Sequence, residues 1–456
     1  MNISIILAAG EGTRMNSNVP KVLHKVCGRP ILEYVIDASK NANLEKNYVI
    51  VGHGEKEIKE KFKDHDIIFK TQPIGKNYPY GTGYAVMQAI DYIEDNSNVI
   101  ILYGDTPLIT DKTILKLMEY HKKNKNNGTV LTAFLDDPTG YGRIVRDEKG
   151  HILKIVEDKD ATEEEKKLKE TNSGIYCFNG KDLKSALKKI DNNNAQGEYY
   201  ITDVITILKE KGNRVGAYII DDPREIHGIN SRIQLAFCEK IMRERINHKH
   251  MLEGITIINP ENTYIESSVI IGKDSIIYPG TILTGDTIVG EDCIIGENSR
   301  IENSKIGNKV EIYSSTITES KVGDRCTIGP YAHLRPNCNL GKDIKIGNFV
   351  EVKNSTIGDG SKASHLAYIG DADVGEGVNI GCGVIFVNYN GHSKFRTVVE
   401  DNAFIGSNSN LIAPVIVRKR GYVAAGSTIT DEVGEGSLSI ARARQVNKDG
   451  WVDKKR

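Results

Sequence analysis

Thr287-Ile288-Val289-Gly290-Glu291-Asp292-Cys293-Ile294-Ile295-Gly296 carries the same aliphatic-glycine pair twice, six positions apart. The spacing runs on in both directions. Ile265, Ile271, Ile277, Leu283, Val289, Ile295 and Ile301 keep it; so do Val322, Ile328, Leu334, Leu340, Ile346 and Val352, and then Val399, Ile405, Leu411, Val417, Val423 and Ile429. A period of six fits neither a 3.6-residue helix nor a hairpin meander. It fits a parallel β-helix in which each hexad forms one face of a prism and the aliphatics stack inward. Coils would lie ~4.8 Å apart, and each would be buried only by its neighbours, so the array needs many repeats and protected ends.

Working back toward the N-terminus, the hexad disappears before about residue 251. Residues 229–250 read as a helix with Ile233, Phe237 and Ile241 on one face among charges, a brace between domains or else a solvated spacer. Residues 1–228 alternate short β-branched runs (Ile3 to Leu7, Tyr48 to Val51, Ile67 to Phe69, Val99 to Tyr103, Val130 to Leu135) with helix candidates at 30–42, 55–64, 82–94 and 111–123. That alternation predicts a mostly parallel sheet covered by helices, with ligands beyond the carboxyl ends of its strands. The domains expected are therefore 1–228, a linker at 229–250, and 251–456 with a basic tail from about 438.

Composition narrows the function. With 60 Lys and Arg against 61 Asp and Glu, the chain has no overall attraction for nucleic acid or anionic membrane. No stretch is apolar enough to span a bilayer, and Met1 to Leu7 lacks the basic flank of a secretory leader, so a cytoplasmic location is expected. Seven scattered cysteines without a Cys-x-x-Cys pair point to reduced thiols rather than a disulfide framework or zinc site.

The first strand runs into Leu7-Ala8-Ala9-Gly10-Glu11-Gly12-Thr13-Arg14-Met15, followed by Pro20-Lys21. Small residues let backbone N–H groups approach a nucleotide, and Arg14 and Lys21 add charge where phosphates would lie. Met15 stands at the third glycine of the dinucleotide fingerprint, so the loop is not that motif. A second apolar run ends in Tyr103-Gly104-Asp105, where a carboxylate could hold Mg²⁺ or cap the next helix.

These segments, with Gln72, Gly81-Thr82-Gly83, Asp137 to Ile144, Ile155-Val156-Glu157, Asn172-Ser173-Gly174 and Gly197 to Asp203, resemble the sugar-1-phosphate nucleotidyltransferases. With the hexads behind them, the whole chain resembles the bacterial bifunctional N-acetylglucosamine-1-phosphate uridylyltransferase/glucosamine-1-phosphate N-acetyltransferase family. The resemblance implies a Rossmann-like α/β nucleotidyltransferase domain followed by a left-handed parallel β-helix. It implies uridylyl transfer from UTP to N-acetylglucosamine 1-phosphate, with Leu7, Ala8, Ala9, Gly10, Lys21, Gln72, Gly81, Thr82, Tyr103, Gly104 and Asp105 at the nucleotide. Gly142, Glu157, Asn172 and Asn230 would hold the sugar phosphate, Asp105 and Asn230 would ligate Mg²⁺, and Arg14 and Lys21 would neutralise charge during attack. The segment Pro73 to Tyr80 is longer than the family pattern and adds Tyr78 and Tyr80 near the base pocket.

Within the prism, the polar excursion Val387 to Phe395 interrupts the hexad, which a purely structural solenoid has no need to do. Acetyl transfer from a thioester to a sugar amine needs a base, cations for the sugar phosphate and donors for the oxyanion. The family resemblance assigns His365 as base and gives glucosamine 1-phosphate to Arg335, Lys353, Tyr368 and Asn379. It gives acetyl-CoA to Asn388, Tyr389, Ser407, Ala425 and Arg442, with Cys382 as a cofactor-lining residue rather than a nucleophile. It further implies a homotrimer assembled through the β-helix, and a place in supplying cell-wall and lipid A precursors. The rival readings are a single-activity nucleotidyltransferase with a structural prism, and a noncatalytic sugar-nucleotide sensor.

Overall fold

A computed structural model describes residues 1–75 and 77–453. Lys76, inside the long segment, and Lys454, Lys455 and Arg456, at the end of the basic tail, lie outside the described residues. The chain divides into two compact units, Met1–Met242 and Arg243–Arg456.

In the first unit the main strand path runs Val215–Ile219, Gly128–Phe134, Glu170–Asn179, Asn98–Tyr103, Asn2–Ala8, Lys46–Val51, Ile68–Thr71. All neighbours are parallel except Glu170–Asn179, which is antiparallel to both of its partners. Its burial is nearly complete along its length, as in a central strand, yet the sequence reading did not place a strand there. The hydroxyl and amide groups of Thr171, Asn172 and Ser173 conceal it from a count of apolar residues. Side chains alternating from the strands fill two cores, one on each sheet face. Helices Ile31–Asn41, Glu55–Lys61 and Asp111–Lys123 lie where the apolar periodicity predicts them. The third candidate is shorter: Thr82–Met87 is α-helical, and a separate 3₁₀ turn, Ile90–Tyr92, follows. Ala85, Ala89 and Ile93 are buried all the same.

The helix Arg232–Leu252 spans the junction of the two units. The expected stripe does not hold along its length, because Ile233 is 83% exposed and Phe237 is 42% exposed. Burial instead follows Cys238, Ile241 or Met242, Ile246 and His250, a stripe with steps of three to five residues that is rotated away from Ile233.

The second unit is a left-handed parallel β-helix of three sheets with 11, 10 and 9 short strands. None of the aliphatics at the hexad positions is more than 7% exposed. Burying such a side chain contributes ~1.5–3 kcal/mol, and the stack repeats it coil after coil. The breaks in the hexad have a geometric cause. Ile277 pairs with Ile295, 18 positions on, but Ile295 pairs with Ile312, 17 on, and Ile312 with Ile328, 16 on. Coils with shortened faces keep every aliphatic inward while shifting the count between Ile301 and Val322. Between Phe386, paired with Leu411, and Val399, paired with Val374, the chain makes its excursion.

Candidate functional sites

In the first unit, Asn2–Ala8 is flanked by Lys46–Val51 on one side and Asn98–Tyr103 on the other. The chain runs from this strand outward through Lys46–Val51 and Ile68–Thr71 and then crosses back to Asn98–Tyr103, so the strand order reverses here, which opens a crevice at the carboxyl ends of the strands. A cavity of about 440 Å³ lies there. Leu7, Ala8, Ala9 and Gly10 line it from the first strand, and Arg14 and Lys21 from the loop that follows. Gln72, Gly81 and Thr82 form another wall, Tyr103 and Asp105 the end of the neighbouring strand, and Gly142, Glu157, Asn172 and Asn230 part of the opposite side. Gly104 is the exception. It stands behind the wall with its N–H donating to the Leu7 carbonyl at 2.9 Å, so its small size serves strand packing.

Lys21 Nζ lies 2.5 Å from Asp105 Oδ2 and 3.0 Å from Asn230 Oδ1. Asp105 is 9% exposed and does not cap the next helix, whose cap is Thr110 accepting from the Thr113 N–H. Its carboxylate and the Asn230 amide oxygen thus face one cation position. Among the described residues there is no cluster of three His, Cys, Asp or Glu side chains fit for a metal. One carboxylate and one amide oxygen nevertheless suit Mg²⁺, a hard ion that commonly takes few protein ligands and fills its shell with water and phosphate oxygens.

Across the cavity, burial pushes the Glu157 carboxyl above its ordinary value, opposed by the Thr202 hydroxyl, which donates to Oε1 at 3.2 Å. Burial also raises the Tyr103 hydroxyl, with the nearby Glu157 charge adding to it. Gly81 has φ 119°, and a Cβ there would come within 2.4 Å of the Tyr199 carbonyl oxygen, so only glycine permits this wall. Gly174, with φ 81°, likewise leaves room for the Tyr103 ring, which a Cβ would approach to 2.7 Å.

The second constellation occupies edges of the prism. One face contains Lys362–His365, Asn379–Ile380, Phe404–Ile405 and Tyr422–Val423. Its corners stack: Gly383 N donates to Leu366 O at 2.9 Å, Asn408 N to Cys382 O at 2.7 Å and Gly426 N to Ser407 O at 2.8 Å. His365, Cys382, Ser407 and Ala425 therefore climb a single edge, and Arg442 Nη1 joins it by donating to Ala425 O at 2.7 Å. Asn379 sits on the same face, in register between Lys362 and Phe404. His365 Nδ1 lies 2.8 Å from Asn348 Oδ1. An amide oxygen only accepts, so the imidazole carries its proton on Nδ1 and leaves the Nε2 lone pair unused in that contact.

The adjoining face holds Glu351–Lys353, Tyr368–Gly370 and Ile385–Val387, and Arg335, Lys353 and Asn388 gather at its far edge. Asp371 accepts from Asn354 and from Asn388, each at 2.5 Å. Burial would raise the Asp371 carboxyl, but these hydrogen bonds and the charges of Lys353 and Lys394 hold it below the usual range. Arg335 Nη1 lies 2.9 Å from Glu351 Oε1. Lys353 and Lys394 are neighbours, and this contact pulls the Lys394 ammonium below its ordinary value. Tyr389 is 55% exposed, its hydroxyl donating to Gly391 O across the excursion at 2.6 Å.

Residues 3–223 match the nucleotidyl transferase family, residues 260–357 a family described as the GMPPB C-terminal domain, and residues 396–431 the hexapeptide repeat of succinyl-transferase. The bifunctional protein GlmU of Clostridioides difficile (strain 630) is 57% identical over 453 residues, covering 99% of this chain and 97% of the relative. That of Alkaliphilus oremlandii is 58% identical, with 99% and 98% covered. That of Clostridium novyi is 51% identical with the same coverage. The chain belongs to the GlmU family. It is a bifunctional enzyme, a uridylyltransferase and an acetyltransferase.

For a GlmU chain the sequence reading missed several cavity residues. Tyr141 and Glu198 line the cavity within motifs that were recognised, Gly228 lines it two residues before Asn230, and Tyr80 joins them from the long segment, whereas Tyr78 does not. Gln234 had no signal: it sits on a helix and enters because its Oε1 accepts from the Asn230 N–H at 2.8 Å. On the prism, Asn348 and Lys394 were missed as partners of His365 and Lys353. Six of the seven cysteines are buried, and Cys382 is partly exposed. Among the described residues no helix is long and apolar enough to cross a membrane.

Proposed function

We propose that the cavity joins UTP to N-acetylglucosamine 1-phosphate and that the prism acetylates glucosamine 1-phosphate from acetyl-CoA. The observation carrying the first is the convergence of Lys21, Asp105 and Asn230 in a cavity walled by small residues. Leu7 to Gly10, Gln72, Gly81 and Thr82 hold the nucleotide; Gly142, Glu157 and Asn172 hold the sugar. A phosphate oxygen of the sugar phosphate attacks the α-phosphorus, its new P–O bond forming as the bond to the bridging oxygen breaks and pyrophosphate departs. Arg14 and Lys21 stabilise negative charge on the leaving oxygens, and no protein nucleophile is needed. Asp105 and Asn230 would hold Mg²⁺, which supplies charge neutralisation and alignment of the phosphates when bound.

For acetyl transfer, His365 Nε2 takes the proton from the amine as its nitrogen attacks the thioester carbonyl. The C–S bond then breaks and coenzyme A leaves as the thiol after protonation. Lys353, Lys394 and Arg335 offer a cationic seat for the sugar phosphate, with Tyr368 and Asn379 toward the sugar. Asn388, Tyr389, Cys382, Ser407, Ala425 and Arg442 lie along the cofactor's path. His365 and the lysine pair bound one face from opposite edges, so a homotrimer that sets one copy's edge against another's would complete the site. A cytoplasmic enzyme feeding cell-wall and lipid A synthesis follows from these products.

Two assays test the reading. The protein with acetyl-CoA and glucosamine 1-phosphate should release free thiol, and with UTP, Mg²⁺ and N-acetylglucosamine 1-phosphate should release pyrophosphate. Absence of thiol release would leave only a nucleotidyltransferase with a structural prism; absence of pyrophosphate release would remove the uridylyl reading.

A further inference from the structure

We propose that Lys21 is an internal placeholder for the divalent cation: before substrate arrives, its ammonium fills the position between Asp105 and Asn230, and it yields that position to a cation entering with the nucleotide. The inference rests on the reading of Asp105 and Asn230 as metal ligands and adds an order of events to it.

The geometry points to an exchange rather than to coexistence. Lys21 Nζ contacts both oxygens, at 2.5 and 3.0 Å, so a divalent ion bound to the same pair would meet the ammonium at contact distance, where like charges in a partly buried pocket repel strongly. The backbones that carry the two oxygens are held by other contacts. Ile229 N donates to Asp105 O at 2.9 Å, and Asn230 N donates to Gln234 Oε1 at 2.8 Å. The turn carrying Lys21 is also held independently of its ammonium. His24 Nδ1 accepts from Arg232 Nη1 at 3.2 Å, Cys27 N donates to Glu239 Oε2 at 2.8 Å, and Ile31 N donates to His24 O at 2.8 Å. The side chain of Lys21 can therefore swing away without unseating its own backbone or the backbones that carry the ligand oxygens.

This arrangement has a selective consequence. A free cation must unpair Lys21 and gains nothing for the displaced ammonium, so its apparent affinity falls by the fraction of molecules in which Lys21 is already withdrawn. A cation carried by a triphosphate brings the lysine a new partner, and that cost vanishes. The site thus favours the metal–nucleotide complex over either component.

Mn²⁺ binding to the full chain, followed by its electron paramagnetic resonance without nucleotide, tests the exchange. Lys21→Met should bind Mn²⁺ about tenfold or more tightly than the native protein, and Asp105→Asn should bind it more weakly than the native protein. Thermal melting gives a second readout: Lys21→Met should melt lower in chelating buffer and recover with Mn²⁺, while the native protein responds little. Equal or weaker Mn²⁺ binding by Lys21→Met, with Asp105→Asn still impaired, would overturn the placeholder and leave the metal site standing. Unchanged Mn²⁺ binding by Asp105→Asn would overturn the metal reading, and the placeholder with it.

Discussion

The two sites of this chain are built in contrasting ways. In the sheet domain, loops from distant parts of the sequence close around one cavity, and the central carboxylate, Asp105, is 9% exposed. In the prism the stacked inward positions are filled mainly by aliphatics, with Phe386 and small Ser, Thr and Cys side chains completing the interior, and the side chains proposed for acetyl transfer stand in rows along the edges. A doubly wound sheet makes a site by convergence at strand ends; a solenoid makes one by repetition along an edge and needs a second surface to enclose it. The first is tuned by burial, as the raised Glu157 shows, and the second by pairing, as with Lys353 and Lys394.

The sharpest way to break this contrast is a reciprocal pair of variants. His365→Ala should lower acetyl transfer by about 10²–10⁴-fold, the usual worth of a positioned base, with uridylyl transfer unchanged. Asp105→Ala should do the converse, with a loss of similar order from removing a proposed metal ligand. Steady-state rates of thiol and pyrophosphate release on each variant check this; loss of both activities in either would mean the sites are not separate.

Next in size is the prism core. Ile328, fully buried between Ile312 and Ile346, loses about 2–5 kcal/mol when truncated to alanine, because neighbouring coils cannot close the gap. Differential scanning calorimetry should find the transition associated with loss of acetyl transfer shifted down while pyrophosphate release below that transition keeps its native rate. A smaller effect is expected of Lys394→Ala, which removes one of two adjacent cations: KM for glucosamine 1-phosphate should rise about tenfold with little change in kcat, since a phosphate contact of this kind contributes on the order of a charge-assisted hydrogen bond.

The same contrast governs what could be read from sequence. The prism was legible because its core is written as a strict period, and even its irregularities, the shortened faces between Ile301 and Val322, alter the count without altering which residues point inward. The antiparallel strand Glu170–Asn179 was not, since its polar residues are satisfied inside the sheet by carbonyls of the neighbouring strand: Ser173 Oγ donates to Leu131 O at 2.6 Å and Thr171 Oγ1 to Ala133 O at 3.0 Å. Glycines flanking the cavity could be found as motifs, but their separate duties could not; Gly104 serves packing, whereas Gly81 faces the cavity. Asn348 and Lys394 meet His365 and Lys353 from one coil or one excursion away, and a register of that kind exists only after folding.

The finest test of burial as the tuning force lies at Asp203, whose carboxyl is pushed up to about 6 by burial and by the charges of Asp191 and Asp160. Its position at the start of the helix Asp203–Glu210 favours the ionised form, but burial and two like charges outweigh that. The native state therefore binds more protons here than the unfolded chain between about pH 4 and 6, and the stabilisation present below the unfolded pKa is lost as pH rises through about 6. Asp203→Asn removes the charge that folding disfavours. Its melting temperature relative to the native protein should thus be more favourable at pH 8 than at pH 5, by about 2 °C given the solvent screening of a partly exposed group. If the advantage of the variant were equal or greater at pH 5, burial would not be what sets this carboxyl, and the view of the first unit as a site tuned by enclosure would lose its clearest titrating witness.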